Sequence, residues 1–151
     1  MAMEGLGRIY DVIDVASGVY FSLKNCDAVD FVVKCSSTTT TSVALVAATT
    51  YAAGTTLNFT TANGFGQAAH YYQNTTNNGT AGWTKQTASW ASNVLTVGAT
   101  SGYMSVFTVY GTQMAAGYPY IAATGTNCTI TAILHDLTVQ RGPANLATLG
   151  A

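Results

Sequence analysis

The stretch CSSTTTTSVALVAATTYAAGTTLNFTT, residues 35–61, contains no charged residue and is built largely of Thr, Ala and Ser. A flexible tether would be rich in Gly, Ser or Pro and would lack a pattern of apolar residues. Here Val43 and Leu45 stand at alternate positions, as do Leu57 and Phe59, and Gly54 separates the two runs. Alternation with a period of two is typical of a strand with one buried face. The stretch therefore predicts a turn, a strand, a loop and a second strand.

The same alternation recurs along the rest of the chain. Apolar residues alternate in GVYFSLK, SNVLTVG, YMSVFTVYG and CTITAILHDLTVQ, and turn sequences such as ANGFG, NNGTAG and ATGTN separate these runs. The residues that favour helices are scarce, whereas Thr, Val and Tyr abound. Turns spaced roughly 8 to 15 residues apart suit antiparallel sheets rather than βαβ units. We predict an all-β protein: a single antiparallel β-sandwich, jelly-roll-like or small-barrel domain of seven to nine strands.

The two ends of the chain differ from the body between them. Residues 1–17 and the last segment, RGPANLATLGA, combine isolated apolar side chains with Gly and Pro. Such segments are usually frayed termini, and the alternative is arms that become ordered against a neighbouring subunit. We predict an N-terminal arm at 1–17, a β-sandwich domain at 18–140 and a C-terminal arm at 141–151. The residues expected to act in assembly are Arg8, Tyr10, Asp11, Asp14, Arg141, Pro143, Leu146 and Leu149.

Charged residues are few and unevenly distributed. They make up 7% of the 151 residues, and Lys85 is the one formal charge between Cys35 and His135. The five basic residues form no stripe of the kind that phosphate binding requires, so we expect no nucleic-acid partner. A free monomer with so little charge would have weak colloidal protection. We infer that partners cover much of the surface, or that the protein works in an assembly.

Membrane and secretion signals are also missing from the pattern. No run approaches the roughly 18 apolar residues of a membrane span. The start, MAMEGLGRIYDVIDV, has an acidic residue where a signal peptide carries basic ones. We expect no membrane partner, and synthesis and folding in the cytoplasm. Cys26, Cys35 and Cys128 make an odd count without a C-x-x-C pair, which predicts buried free thiols rather than a disulfide framework or a zinc site.

A catalytic or metal site is difficult to assemble from this composition. The only two histidines are His70 and His135, and the pair His135-Asp136 lies in a strand pattern, where neighbours point to opposite faces. A glycan hydrolase would need paired carboxylates, yet residues 35–135 contain no Asp or Glu. No G-x-S-x-G turn is present to place a serine nucleophile. We expect no enzymatic activity, no metal and no cofactor.

The aromatic residues suggest a different kind of site. The segment AAHYYQNTTNNGTAGWTKQTASW, residues 68–90, groups Tyr71, Tyr72, Trp83 and Trp90 around a loop rich in Asn and Gly. Aromatic side chains flanked by Asn and Gln form carbohydrate-binding faces, but they also form sandwich cores and protein interfaces. Both interpretations remain open from the sequence.

Most of the chain resembles a known class of virion protein. The front LGRIYDVIDVASGVYFSLKNCDAVDFV, the middle NGTAGWTKQT and the end SVFTVYGTQMAAGYPYIAATGTNCTITAILHDLTVQRGPANLATLGA are similar to head decoration or minor capsid proteins of tailed bacteriophages, especially those that infect actinobacteria. The resemblance implies a β-rich protein that binds the outside of an assembled capsid, commonly as a homotrimer. It also implies that the protein reinforces the shell by bridging subunits of the major capsid protein, and it supplies no catalytic residues.

From the residues and the resemblance together, we expect a decoration or cement protein on the capsid exterior. Its partners would be the major capsid protein and further copies of itself. Two alternatives remain: a carbohydrate-binding or adhesin-like module on a virion or tail, which would use the aromatic surface, and a tail or head-tail structural protein.

Overall fold

The computed structural model describes residues 10–15, 18–23, 26–76, 80–98 and 100–137. These residues form twelve β-strands and two short 3-10 turns, at Thr61–Asn63 and Gly111–Gln113. The strands are β1 (Tyr10–Asp14), β2 (Phe21–Ser22), β3 (Cys26–Cys35), β4 (Thr41–Thr50), β5 (Ala53–Asn58), β6 (His70–Asn74), β7 (Thr84–Thr87), β8 (Trp90–Ala91), β9 (Val94–Gly98), β10 (Met104–Tyr110), β11 (Tyr120–Thr126) and β12 (Cys128–Leu137).

Two antiparallel sheets of six strands each pack face to face. The order in the first sheet is β1-β12-β3-β10-β6-β7, and the order in the second is β2-β11-β4-β9-β8, with β5 also paired to β4. The predicted all-β sandwich is therefore confirmed, and the sheets do not close into a barrel. The described residues form twelve strands rather than the predicted seven to nine. Strand β8 has only two residues and is too brief to produce a visible alternation, and β1 lies in the segment predicted as an arm.

Eight of the strands follow a jelly-roll path. The chain crosses from one sheet to the other at each step from β1 to β4, and again at each step from β9 to β12, while β4 and β9 are neighbours in the second sheet. This alternation between two sheets is the connectivity of a jelly roll. The intervening strands β5 to β8 extend both sheets at one side.

The hydrophobic core lies between the sheets and consists of alternate residues of the central strands. Phe31 and Val33 of β3 face Val43 and Leu45 of β4, and all four are fully buried. Phe31 also stacks on Phe107 of β10, with ring centroids 5.3 Å apart. Burying a side chain of this size contributes about 1.5–3 kcal/mol. The core therefore depends on the same alternation that predicts the strands.

The uncharged stretch that begins at Cys35 forms the centre of the second sheet. Strand β4 pairs with β11 along one edge and with β9 and β5 along the other. Gly54, the second residue of β5, has a φ of +53°, and a Cβ at Gly54 would lie 2.6 Å from the hydroxyl oxygen of Thr49. Glycine is the residue that tolerates both the positive φ and the close approach. The predicted order of turn, strand, loop and strand is confirmed.

The sheet begins before the boundary predicted at residue 18. Strand β1 pairs antiparallel with β12, from Tyr10 opposite His135 to Asp14 opposite Thr131. Ile13 is buried against the core, and the amide of the residue that follows β1 donates to a carbonyl of β12. Part of the segment predicted as an arm is therefore an edge strand. The sequence pattern does not reveal this strand, because the strand with which it pairs lies at the far end of the chain. The C-terminal arm predicted at 141–151 lies outside the described residues.

Candidate functional site

The charged residues of the strands all belong to the first sheet. Strands β1, β3, β7 and β12 carry them, and the six strands of the second sheet contain none. These charged residues are Asp11, Asp14, Asp27, Asp30, Lys34, Lys85 and Asp136. Because β1, β12 and β3 lie side by side, strand pairing gathers the two charged ends of the chain into one sheet. The two outer faces of the sandwich therefore differ in chemistry.

The outer face of the second sheet carries hydroxyl and small apolar side chains. In β4, the buried residues Val43 and Leu45 point inward, so their neighbours in the strand point outward. Residues directly opposite on paired strands share a face, as Ser42 does with Thr126 and Ala44 with Thr124. We call this surface the uncharged face. It comprises Ser42, Ala44, Val46, Val94, Thr96, Tyr120, Thr124 and Thr126.

The outer face of the first sheet has a polar cluster near its centre. The hydroxyl of Thr108 donates to Asp30 Oδ1 at 2.6 Å, and Asp30 Oδ2 lies 3.4 Å from His135 Nε2. In a hydrolytic triad the imidazole stands between the hydroxyl and the carboxylate, whereas here the carboxylate bridges the other two groups. Both side chains are about one-third exposed, and even a fully charged pair at this exposure contributes at most about 1 kcal/mol. The three side chains therefore form a polar contact that links the neighbouring strands β10, β3 and β12, and they do not have the order of a catalytic triad.

The same outer face exposes large apolar side chains around the polar cluster. Val12, Tyr72 and Tyr110 are each about half exposed. Val32 and Val106 lie opposite each other in the register, and Val106 also lies opposite Tyr72. This face therefore mixes charges with apolar groups, in contrast to the uncharged face.

The residues predicted to act in assembly are only partly within the described structure. Tyr10, Asp11 and Asp14 lie in β1, at the edge of the first sheet, and the side chain of Asp14 is exposed. Outside the described residues lie Arg8, Arg141, Pro143, Leu146 and Leu149.

The four aromatic residues of the possible carbohydrate surface do not form one exposed platform. Tyr71 and Tyr72 are successive residues of β6, so they point to opposite faces. Trp90 is packed against the core, its indole N–H donating to the carbonyl of Ala68 at 2.8 Å. Trp83 is half exposed, as is Tyr72. The structure therefore leaves two of the four, Tyr72 and Trp83, on the surface near the β6–β7 hairpin.

The cysteines are all free thiols, as predicted, and two of them are buried. Cys26 and Cys35 are enclosed, whereas Cys128 is partly exposed. Burial raises the pKa of the Cys128 thiol, and the neighbouring Cys35 adds to this effect. Burial, followed by the same neighbour, also raises the pKa of Tyr71. The Cys128 thiol and the Tyr71 hydroxyl therefore stay protonated at neutral pH.

Two grooves of similar volume lie on the surface of the described residues. One groove of about 390 Å³ is lined mainly by apolar residues such as Leu23, Met114 and Pro119. The other, of about 380 Å³, is lined by residues that include Lys34 and Cys35. Among the described residues, no group of three or more His, Cys, Asp or Glu side chains is placed to hold a metal ion.

Comparisons with known proteins do not indicate a function for this chain, so the functional argument is based on the two outer faces of the sandwich. Searches against protein-family models, curated proteins and solved structures found no match. In the part of the chain that the structure describes, no helix has the length and apolar character needed to cross a membrane.

Proposed function

We propose that this chain is a structural virion protein that binds the outer surface of a phage capsid. It reinforces the shell by bridging neighbouring subunits of the major capsid protein. The observation that carries the proposal is the uncharged face, which is a broad sheet surface without a single charged strand residue. The resemblance of the sequence to phage decoration proteins supplies the identity of the partner.

The uncharged face suits contact with another protein surface. Charged residues are depleted at the centres of protein interfaces, because an ion that loses its water must be compensated by a partner. Thr and Ser hydroxyls can exchange hydrogen bonds with water for hydrogen bonds with a partner at much lower cost. Many copies on one shell also act at high effective concentration, so each individual interface can be modest.

Self-association into a homotrimer is part of the proposal. A closed cyclic oligomer buries apolar surface that a weakly charged monomer would expose to solvent. The half-exposed Val12, Tyr72 and Tyr110 of the first sheet are surface of this kind. Jelly-roll domains occur in viral capsids and also in lectins, so the fold is compatible with the proposal but does not identify the function.

The location is tested by finding the particle that carries the chain. Antibodies against the recombinant protein would be used to probe purified phage particles and the soluble fraction of the lysate. Cryo-electron microscopy of the labelled particles would then locate the chain. We expect density on the shell exterior between major capsid protein subunits. A chain confined to the tail would favour the head-tail alternative, and a chain found only in the soluble fraction would refute a virion role.

The uncharged face is tested with a matched pair of lysine substitutions. Thr124 lies on the uncharged face and Thr87 lies in edge strand β7 of the first sheet, and both are exposed. We expect Thr124→Lys to reduce binding to shells at least tenfold, because a buried ammonium group would lose its water. Thr87→Lys should bind like the unaltered protein. Equal binding by both variants would show that the uncharged face is not the contact.

Light scattering of the full-length protein tests the homotrimer. We expect a mass of three chains at micromolar concentration, and a clean monomer would refute self-association. The circular dichroism spectra of both lysine variants should match that of the unaltered protein, since exposed substitutions usually change stability by less than about 0.5 kcal/mol.

One observation favours a second candidate function. Tyr72 and Trp83 are both about half exposed, and exposed aromatic rings can stack on sugar rings. In this alternative the chain is a carbohydrate-binding module on a virion or tail. Quenching of Trp83 fluorescence by cell-wall glycans, lost in Trp83→Phe, would support it. The absence of any spectral change across a broad glycan panel would refute it.

A further inference from the structure

Cys35 and Cys128 lie directly opposite each other on two neighbouring strands. They are register partners at the end of the β3–β12 ladder. Residues that oppose each other in an antiparallel pair project from the same side of the sheet. Two positions further along each strand, Val33 and Ile130 point into the core. Both cysteine side chains therefore project into the space between the two sheets.

The hydrogen-bond pattern identifies the kind of pair that the two cysteines form. The next opposed pair, Ser36 and Asn127, is a hydrogen-bonded pair, since the amide of Ser36 donates to the carbonyl of Asn127 at 2.9 Å. The amide of Cys35 donates to the other neighbouring strand segment, at the carbonyl of Tyr103, 2.8 Å away. Hydrogen-bonded and non-hydrogen-bonded pairs alternate in an antiparallel ladder, so Cys35 and Cys128 form a non-hydrogen-bonded pair. The Cα atoms of such a pair are about 4.5 Å apart, which lies within the range of natural disulfides.

Glycines in the opposing sheet leave room for the two sulfur atoms. A Cβ at Gly125 would lie 2.6 Å from the Sγ atom of Cys128, and a Cβ at Gly98 would lie 3.6 Å from the Sγ atom of Cys35. Cys128 is partly exposed to solvent, whereas Cys35 is buried. The third cysteine, Cys26, is at the opposite end of β3, about 30 Å away along the strand. It therefore cannot compete for either partner within the same chain.

We propose that Cys35 and Cys128 are a site of reversible oxidation, at which a low-molecular-weight disulfide such as oxidised glutathione produces a disulfide bond between β3 and β12. The thiolate of Cys128 attacks one sulfur of oxidised glutathione and releases a glutathione thiolate. The thiolate of Cys35 then attacks Sγ of Cys128 and releases the second glutathione. Two protein thiols are oxidised, one glutathione disulfide is reduced to two thiols, and the two cysteine protons pass to the released thiolates.

The order of the two steps follows from exposure. Cys128 is the thiol that solvent reaches, and Cys35 is the buried resolving thiol. Thiolates rather than thiols react, and burial raises the pKa of Cys128, so the reaction should become faster as the pH rises. The bond would join β12 to the central strand β3 once the protein meets an oxidising environment. This inference does not depend on the proposed capsid function.

The test uses the full-length protein, first reduced and then incubated with oxidised glutathione at mildly alkaline pH. We expect the intact mass to fall by two hydrogen atoms, and a non-reducing peptide map to link the peptides that contain Cys35 and Cys128. The thermal midpoint should rise by roughly 5–15 °C, because the bond closes a long loop, and a reducing agent should reverse the shift.

Two cysteine variants provide the controls. Cys26→Ala should oxidise like the unaltered protein. Cys35→Ala should stop at one glutathione attached to Cys128, without the rise in thermal midpoint. If Cys35→Ala does not fold, the peptide map of the unaltered protein decides the question by itself. A protein that keeps both thiols, forms only dimers through cysteine, or retains attached glutathione on Cys128 would overturn the proposal.

Discussion

Substitution of Gly125 by alanine tests how closely the two sheets pack at the end of the sandwich. Gly125 lies in β11, opposite Val43 of β4, and its φ is outside the left-handed region. A Cβ added there would lie 2.6 Å from the Sγ atom of Cys128 and 3.1 Å from Cδ1 of Ile130. The optimal separation of such non-bonded atoms is about 3.5–4.0 Å. The added methyl group therefore overlaps the sulfur by roughly 1 Å, and the side chains of Cys128 and Ile130 must shift to make room.

The expected cost follows from two opposing terms. Overpacking of a core costs about 1–3 kcal/mol, whereas replacing a strand glycine by alanine recovers about 0.5–1 kcal/mol of chain entropy. We expect Gly125→Ala to lower the free energy of unfolding by about 1–2 kcal/mol. For a chain of this length, that loss lowers the thermal midpoint by roughly 2–8 °C. Urea unfolding followed by circular dichroism measures the free energy directly.

A control and a double variant make the reasoning refutable. Gly82→Ala adds a methyl group with no heavy atom within 4 Å, so its effect should stay within about 0.5 kcal/mol. Cys128→Ala removes the sulfur that the new methyl group meets, so combining it with Gly125→Ala should recover about 1 kcal/mol relative to additivity. If Gly125→Ala is as stable as the unaltered protein, or if the two changes simply add, the proposed close contact is absent.

The remaining predictions concern the tryptophans and the response to alkaline pH. Trp90→Phe should lower the free energy of unfolding by about 1–3 kcal/mol, because the carbonyl of Ala68 loses its 2.8 Å hydrogen bond from the indole. Trp83→Phe should change it by less than about 0.5 kcal/mol, and equal losses in urea titrations would contradict the difference in burial. The raised pKa values of Cys128 and Tyr71 mean that the unfolded chain loses these protons first. The contribution of these two groups to the free energy of unfolding should therefore be complete below roughly pH 9 and decline as the pH rises through the folded-state pKa values. Cys128→Ala should make this decline smaller. A free energy of unfolding that does not change over this pH range would refute the prediction.

Local alternation predicted the strands and the core because side-chain direction in a strand depends only on position along it. Val43 and Leu45 are buried and their neighbours face outward, as their sequence pattern predicts. The same local rule also separates Tyr71 from Tyr72, since adjacent residues of a strand must point to opposite faces. Tyr71 and Tyr72 are adjacent in the chain, so proximity along the sequence places them in one surface, whereas strand geometry directs their side chains to opposite faces.

The strand at Tyr10–Asp14 shows where the local rule ends. The segment is short, and its stability as a strand depends on pairing with β12. Such pairing joins residues from opposite ends of the chain, and no pattern within the segment encodes the partner. The predicted arm at 1–17 therefore includes β1, which belongs to the first sheet.

The sequence alone determined the all-β class, the alternating core and the scarcity of charge, because these depend on residue type and on spacing within a few positions. Tertiary structure alone decided that the charged ends of the chain meet in one sheet and leave the other sheet uncharged. It also decided that Cys35 stands opposite Cys128. The physical reason is that strand pairing and register are set by the packing of two whole sheets, which brings together residues that are far apart in the chain.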